Sequence, residues 1–179
     1  IDGLLICSGS DDHTAKLWRI DNDRISPLSV LRGHRRAVTS VAFSPVEKLV
    51  ATGSADNSIR IWSVDSGSCI STYTEYSSSI LRCVFISNGY QIITGESSGA
   101  MKVIRVKTGA VDFSNDTAHS ENIWGLVTSQ DTESNKQQII TGGKDGKLCF
   151  WLDNTEELEK QERKNVLDKL SQEINEEQK

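Results

Sequence analysis

Four stretches of this chain are copies of one another. A chain built of copies at a period of forty-odd residues folds as stacked units, not as an ordinary single-core domain. Residues 8–18, 52–62, 94–104 and 141–151 align without gaps: a hydroxyl residue, glycine, a polar turn, then an alternating run that closes on Trp or Ile. The closing positions 18, 62, 104 and 151 lie 44, 42 and 47 residues apart. An apolar run precedes each copy: Leu4-Leu5-Ile6, Leu49-Val50-Ala51, Ile92-Ile93 and Ile139-Ile140. Two such runs joined by a short Gly/Asp/Asn/Ser turn predict a hairpin. The turns fall at 11–13, 55–57, 97–99 and 144–146. A further strand is predicted upstream at 38–43, 80–85 and 123–127, and a weaker one downstream at 69–73 and 111–114. Each unit is then an antiparallel sheet of four strands, the first unit truncated at its start. One such sheet leaves a face bare, so the units must stack.

Composition removes several alternatives. With 13 glycines and 2 prolines in 179 residues, the chain is neither collagen-like nor low-complexity. No apolar run approaches the ~18 residues of a membrane-spanning helix. The chain opens on Ile1 with no basic-then-apolar leader, which reads as a segment of a longer protein with further units upstream. Cys7, Cys69, Cys83 and Cys149 lie far apart beside apolar runs, and read as reduced, buried thiols of a cytosolic or nuclear protein. No Gly-rich phosphate loop, no His-Glu-x-x-His and no metal-ligand spacing is present, so neither cofactor nor metal is expected.

Charge is unevenly spread. Residues 153–179 carry nine acids and five bases, against sixteen and fifteen in the remainder. The body is nearly neutral and has no broad basic footprint for nucleic acid. The tail lacks Gly, Pro and aromatics. Asn154 and Glu157 have capping-box spacing, and Leu167, Leu170 and Ile174 fall on one helical face. A charged helix is expected there, either solvated or docked by that stripe on a partner.

Two units contain the components of a nucleophilic site. The second has His34, Thr52, Asp56 and Trp62, and the fourth has His119, Thr141, Asp145 and Trp151. The first has Ser8, Asp12 and Trp18, with its histidine expected upstream. Hydroxyl, imidazole and carboxylate can form a catalytic triad. A buried hydrogen-bond network is the better reading. The set recurs, which an active site rarely does; Thr is a poor nucleophile without activation; and a buried Trp N–H needs a partner.

These residues resemble the WD-repeat family. In the second unit Gly33-His34 opens the repeat, Phe43-Ser44-Pro45 follows, and Thr52-Gly53-Ser54-Ala55-Asp56 precedes Ile61-Trp62. The sequence departs from the family pattern in two ways: Arg19, Ser63 and Leu152 replace its final Asp, and the third unit has Tyr76, Ser98 and Ile104 in place of His, Asp and Trp. The resemblance implies an all-β fold: a partial β-propeller over 1–152, in units 1–31, 32–73, 74–115 and 116–152, followed by a helical tail over 153–179. It also implies that the turn Asp accepts from the His ring while Ser or Thr bridges that His to the Trp N–H. Propellers bind through the loops at their two ends, which makes Arg32, Arg35, Arg36, Trp124 and Lys144 candidate partner-binding residues of the rim, against the plainer reading of a solvated loop.

Residues 31–62, 118–126 and 151–167 together resemble the closing part of the second propeller in the transducin-beta-like subunits of the small-subunit processome, in its Utp B subcomplex. That resemblance implies a non-catalytic scaffold in ribosomal RNA processing, in the nucleus and nucleolus. Its partners would be other WD-repeat and helical subunits of a pre-ribosomal particle, with local RNA contact, no membrane and no small-molecule substrate. The rivals are an adaptor of another complex, such as a ubiquitin-ligase substrate receptor, and an enzyme using one Thr/His/Asp set.

Overall fold

The computed structural model describes residues 4–21, 24–130 and 137–152. They form fourteen strands in four antiparallel sheets. The first sheet holds β1 (Leu4–Gly9), β2 (Thr14–Asp21) and β3 (Arg24–Arg32). The second holds β4 (Val38–Phe43), β5 (Leu49–Ser54), β6 (Ser58–Ser63) and β7 (Cys69–Tyr73). The third holds β8 (Ile80–Ile86), β9 (Gln91–Glu96), β10 (Met101–Arg105) and β11 (Val111–Asn115). The fourth holds β12 (Ile123–Gln130), β13 (Gln137–Gly143) and β14 (Leu148–Leu152). Each sheet is a meander in chain order, because short turns can join only antiparallel neighbours. The tail with Leu167, Leu170 and Ile174 lies outside the described residues.

Irregularities repeat along with the strands. A one-residue bulge falls at Thr39, Leu81 and Trp124, at the start of β4, β8 and β12. Another falls at Leu28, Ile70 and Asp112 of β3, β7 and β11, facing the steps into Trp18, Trp62 and Ile104. Bulges strengthen the local twist, and a twist repeated in register gives every sheet the same shape.

The core lies between sheets. Ala15, Leu17 and Leu31 of the first pack on Val38, Val50, Trp62 and Val64 of the second. Ala51, Ile59 and Ile61 of the second pack on Ile80, Phe85, Ile92, Ile104 and Val106 of the third. Ile93, Met101 and Val103 of the third pack on Ile123, Leu126 and Ile139 of the fourth, with Trp151 at the margin. Trp62, Ile104 and Trp151, which close the second, third and fourth repeats, therefore face the preceding sheet.

The repeated glycine has a packing role that the sequence does not display. Gly9, Gly53 and Gly95 lie within strands, not in turns. A Cβ on Gly53 would stand 2.6 Å from Ile80 Cγ2, one on Gly95 2.7 Å from Ile123 Cγ2, and one on Gly9 2.7 Å from the Val38 carbonyl. The next sheet's first residue occupies the space that a side chain would need.

Candidate functional site

The second sheet brings its four marked residues together at one end. The Trp62 indole N–H donates to Thr52 Oγ1 at 2.8 Å. Thr52 Oγ1 lies 2.7 Å from His34 Nε2, and His34 Nδ1 lies 3.0 Å from Asp56 Oδ2. These contacts settle the tautomer. The Asp56 carboxylate can only accept, so Nδ1–H donates to it; Nε2 of the neutral ring then accepts the Thr52 hydroxyl hydrogen, while Thr52 Oγ1 accepts from the indole. Asp56 also accepts from the Arg35 amide at 2.8 Å and from the Ser58 hydroxyl at 2.5 Å. Burial lowers the affinity of His34 for a second proton. Burial alone would push Asp56 up, but the bonds donated by Ser58, the Arg35 amide and His34 outweigh it and hold the carboxyl at about 2.

The fourth sheet repeats the set. Trp151 Nε1–H donates to Thr141 Oγ1 at 3.0 Å, Thr141 Oγ1 lies 2.8 Å from His119 Nε2, and His119 Nδ1 lies 3.0 Å from Asp145 Oδ1. The Ser120 and Lys147 amides complete the carboxylate's acceptor sites. The bond from His119, ahead of any burial effect, holds Asp145 at about 2.

Local sequence explains why these sets form. Asp56 and Asp145 stand in the hairpin turns before β6 and β14, next to Asn57 and Gly146, both in the left-handed region. A tight left-handed turn folds the carboxylate back over the loop before the innermost strand, where the histidine sits. Both Thr hydroxyls are wholly buried, each held between an indole and an imidazole. A hydroxyl so placed has no face open to a substrate.

The other two sheets differ. In the first, Trp18 Nε1–H donates to Ser8 Oγ at 2.9 Å, but Asp12 stays outside that pair. It accepts from the Thr14 amide and hydroxyl within its own turn. In the second and fourth sheets a histidine from the loop before the sheet's first strand links carboxylate to hydroxyl, and the corresponding position of the first unit precedes residue 1. In the third, buried Tyr76 takes the histidine's place, with Lys102 Nζ 5.3 Å from its ring centroid. Thr94, without imidazole or indole, donates to the Lys102 carbonyl.

Glu96 was missed by sequence reasoning. It is wholly buried, with Oε2 accepting from Ser78 Oγ at 3.0 Å and Oε1 without a partner. The signal was an acid at a position where the sister units carry Ser10, Ser54 and Gly143. The cysteines also differ from expectation. Only Cys83 is fully buried, while Cys69 is exposed on the outer strand β7 with Arg60 Nη1 at 3.7 Å. Burial pushes the Cys83 and Cys7 thiols up to about 11 and about 12, which makes them poor nucleophiles.

The rim candidates separate as well. Arg32, Arg35 and Arg36 are exposed around the loop between β3 and β4. Lys144 is tied to Glu121 at 2.9 Å. Trp124 is half exposed at a bulge whose counterparts reach the following sheet: the Thr39 hydroxyl donates to the Ile80 carbonyl, and Leu81 is buried. It therefore belongs to a sheet-to-sheet face and not to a loop.

Repeated sheets, repeated bulges and a Trp–Thr–His–Asp chain in two of four units find their counterpart in known sequences. A profile of the WD domain, G-beta repeat, matches residues 1–19, 25–63 and 111–151. The chain belongs to the WD-repeat family. Most of the third repeat, which lacks His, Asp and Trp, falls between the matched stretches. Among curated relatives, eukaryotic translation initiation factor 3 subunit I of Phaeosphaeria nodorum is 30% identical over 88% of this chain and 48% of its own length. WD repeat-containing protein 26 homolog of Arabidopsis thaliana is 37% identical over 52% of this chain and 16% of its own. U3 small nucleolar RNA-associated protein 12 of Saccharomyces cerevisiae is 30% identical over 68% of this chain and 12% of its own. The chain thus spans half or less of the curated relatives it matches.

Proposed function

We propose that this WD-repeat chain is part of a non-catalytic scaffold subunit in the biogenesis of the small ribosomal subunit. Partners would be held through the propeller's loops and faces, and the complex would sit in the nucleolus. The observation that carries the scaffold reading is the burial of both Thr hydroxyls under indole and imidazole. It leaves the surface, not a reaction centre, to supply the function. The ribosomal context is supported by the similarity to a U3 small nucleolar RNA-associated protein, and by the resemblance of 31–62, 118–126 and 151–167 to processome subunits. Units 32–73, 74–115 and 116–152 would be successive blades, and 153–179 would lead to the next part of the assembly.

A second reading has its own support. Similarity to a translation initiation factor subunit extends over 88% of the chain, which favours a scaffold in translation initiation. Depletion of the full-length protein separates the two. The ribosomal reading expects uncleaved small-subunit precursor RNA to accumulate and other propeller subunits to co-purify. Normal precursor processing with loss of initiation complexes would favour the second reading, and co-purification dominated by ubiquitin-ligase cullins would favour the adaptor.

A further inference from the structure

The end of β3 and the loop to β4 carry three exposed arginines within five residues: Arg32, Arg35 and Arg36. None of their guanidinium groups is bonded to an acid among the described residues. A fourth guanidinium lies beneath them: Arg60 Nη1 comes within 2.9 Å of where a Gly33 Cβ would stand, and Arg60 Nε is buried without a partner.

The loop is held from below at several points. The Arg35 amide donates to Asp56 Oδ2, Ser54 Oγ donates to the Arg36 carbonyl at 3.2 Å, and the Ala55 amide donates to the Ala37 carbonyl at 2.9 Å. His34 is fixed between Thr52 and Asp56. The backbone that presents the arginines is therefore ordered before anything binds, which lowers the entropy lost on association.

The charge is also local. Positions 32, 35 and 36 correspond to Thr74, Ser77 and Ser78 in the next repeat, and to Thr117, Ser120 and Glu121 in the one after. On the other side, the turn bearing Asp11 and Asp12 adjoins through the Val38 amide bonded to the Ser10 carbonyl. A nucleic-acid strand needs cations that continue along its phosphates. Here they stop at one loop, flanked by hydroxyls and acids.

We infer that this arginine loop is a docking site for a short acidic peptide segment of a protein partner. The inference rests on the scaffold reading above and names the partner chemistry of one surface. Guanidinium groups grip carboxylates through paired N–H bonds. Arg32 and Arg36 are four residues apart and so reach across at most ~14 Å of backbone, which matches an extended run of about four acidic residues.

Fluorescence anisotropy on the full chain tests this, with a labelled hexaglutamate peptide, a Gly/Ser peptide of equal length and a ten-nucleotide oligouridylate. Hexaglutamate should bind more tightly than either, weaken with salt, and lose about tenfold or more in affinity in R35E/R36E. Lys48→Ala should leave binding within about twofold, because that lysine lies in the loop between β4 and β5, at the other end of the sheet, and is paired with Asp65. Tryptophan fluorescence of R35E/R36E should match the parent and report an intact fold. The inference is overturned if hexaglutamate binds no better than the Gly/Ser peptide, if its binding survives R35E/R36E, or if oligouridylate binds more tightly and is the ligand that R35E/R36E loses. Each of those results leaves the depletion experiment free to support the scaffold reading, so the two fail separately.

Discussion

At the scale of single residues, the Trp–Thr–His–Asp chain is an arrangement in which every buried polar hydrogen has a place to go. Replacing Asp56 by Ala strips the acceptor from His34 Nδ1–H, the Arg35 amide and the Ser58 hydroxyl together. Each buried donor left unpaired costs about 1–3 kcal/mol. Urea unfolding of D56A in the full chain should show a loss of at least that size, and D56N a smaller one, since an amide still accepts through its oxygen. Equal stability of parent and D56A would show that the network carries no weight. Acid should act in the same direction. Asp56 and Asp145, held at about 2, contribute stability that is complete above the ordinary carboxylate value near 4. It is lost as pH falls from about 4 towards 2, because the unfolded chain takes up those protons first. His34, with its affinity for a second proton lowered by burial, begins to disfavour the fold already below about 6.5. Stability measured against pH should thus decline in two stages towards acid, with the lower one reduced in D56N.

At the scale of elements, the sequence discloses the hairpins well and the contacts between sheets poorly. Alternation and turn residues mark β1–β2, β5–β6, β9–β10 and β13–β14, and the four turns stand where the pattern puts them. His, Thr, Asp and Trp were legible as a set because spacing repeated them. The place of Asp12 in such a set depends on a histidine whose position precedes residue 1. Glu96 was missed because none of its counterparts, Ser10, Ser54 and Gly143, is an acid. The glycine after the hydroxyl residue is legible only as a repeated letter, whereas at Gly9, Gly53 and Gly95 it admits the next sheet, a fact about neighbours 27 to 29 residues away in sequence, as Gly53 with Ile80, Gly95 with Ile123 and Gly9 with Val38. The consequence is testable. Gly53→Ala would force Ile80 from a well-packed position, at about 1–3 kcal/mol for overpacking. Gly146→Ala adds a Cβ that meets nothing within 4 Å, and pays only for its left-handed backbone, about 1 kcal/mol. Denaturation midpoints should rank parent above G146A above G53A; the reverse order would remove the inter-sheet role assigned to the glycine.

At the scale of the molecule, the four sheets form a stack whose two outer faces keep the chemistry of an interface. Ile59 and Ile61 are 0% and 1% exposed against the third sheet, and their equivalents Leu148 and Phe150 in the fourth are 70% and 72% exposed. Leu152, Val127 and Trp124 extend that bare surface. At the opposite end Leu4 and Ile6 are exposed, while Val50 and Ile92, the equivalents of Ile6, are buried. Repeat stacks gain stability from each neighbour interface and need polar outer faces to stay soluble. Burying a Leu or Phe is worth about 1.5–3 kcal/mol, so several such side chains on one face favour association strongly. A polypeptide restricted to residues 1–152 should therefore self-associate, and its thermal transition should be broad and dependent on concentration. Replacing Leu148 and Phe150 by Ser should reduce the association without altering the first three sheets, because neither side chain belongs to their packing. In the full-length protein the same double substitution should instead destabilise if a further sheet covers that face. A 1–152 polypeptide that melts sharply as a monomer, with L148S/F150S neutral in both settings, would show that the exposed face is an ordinary surface.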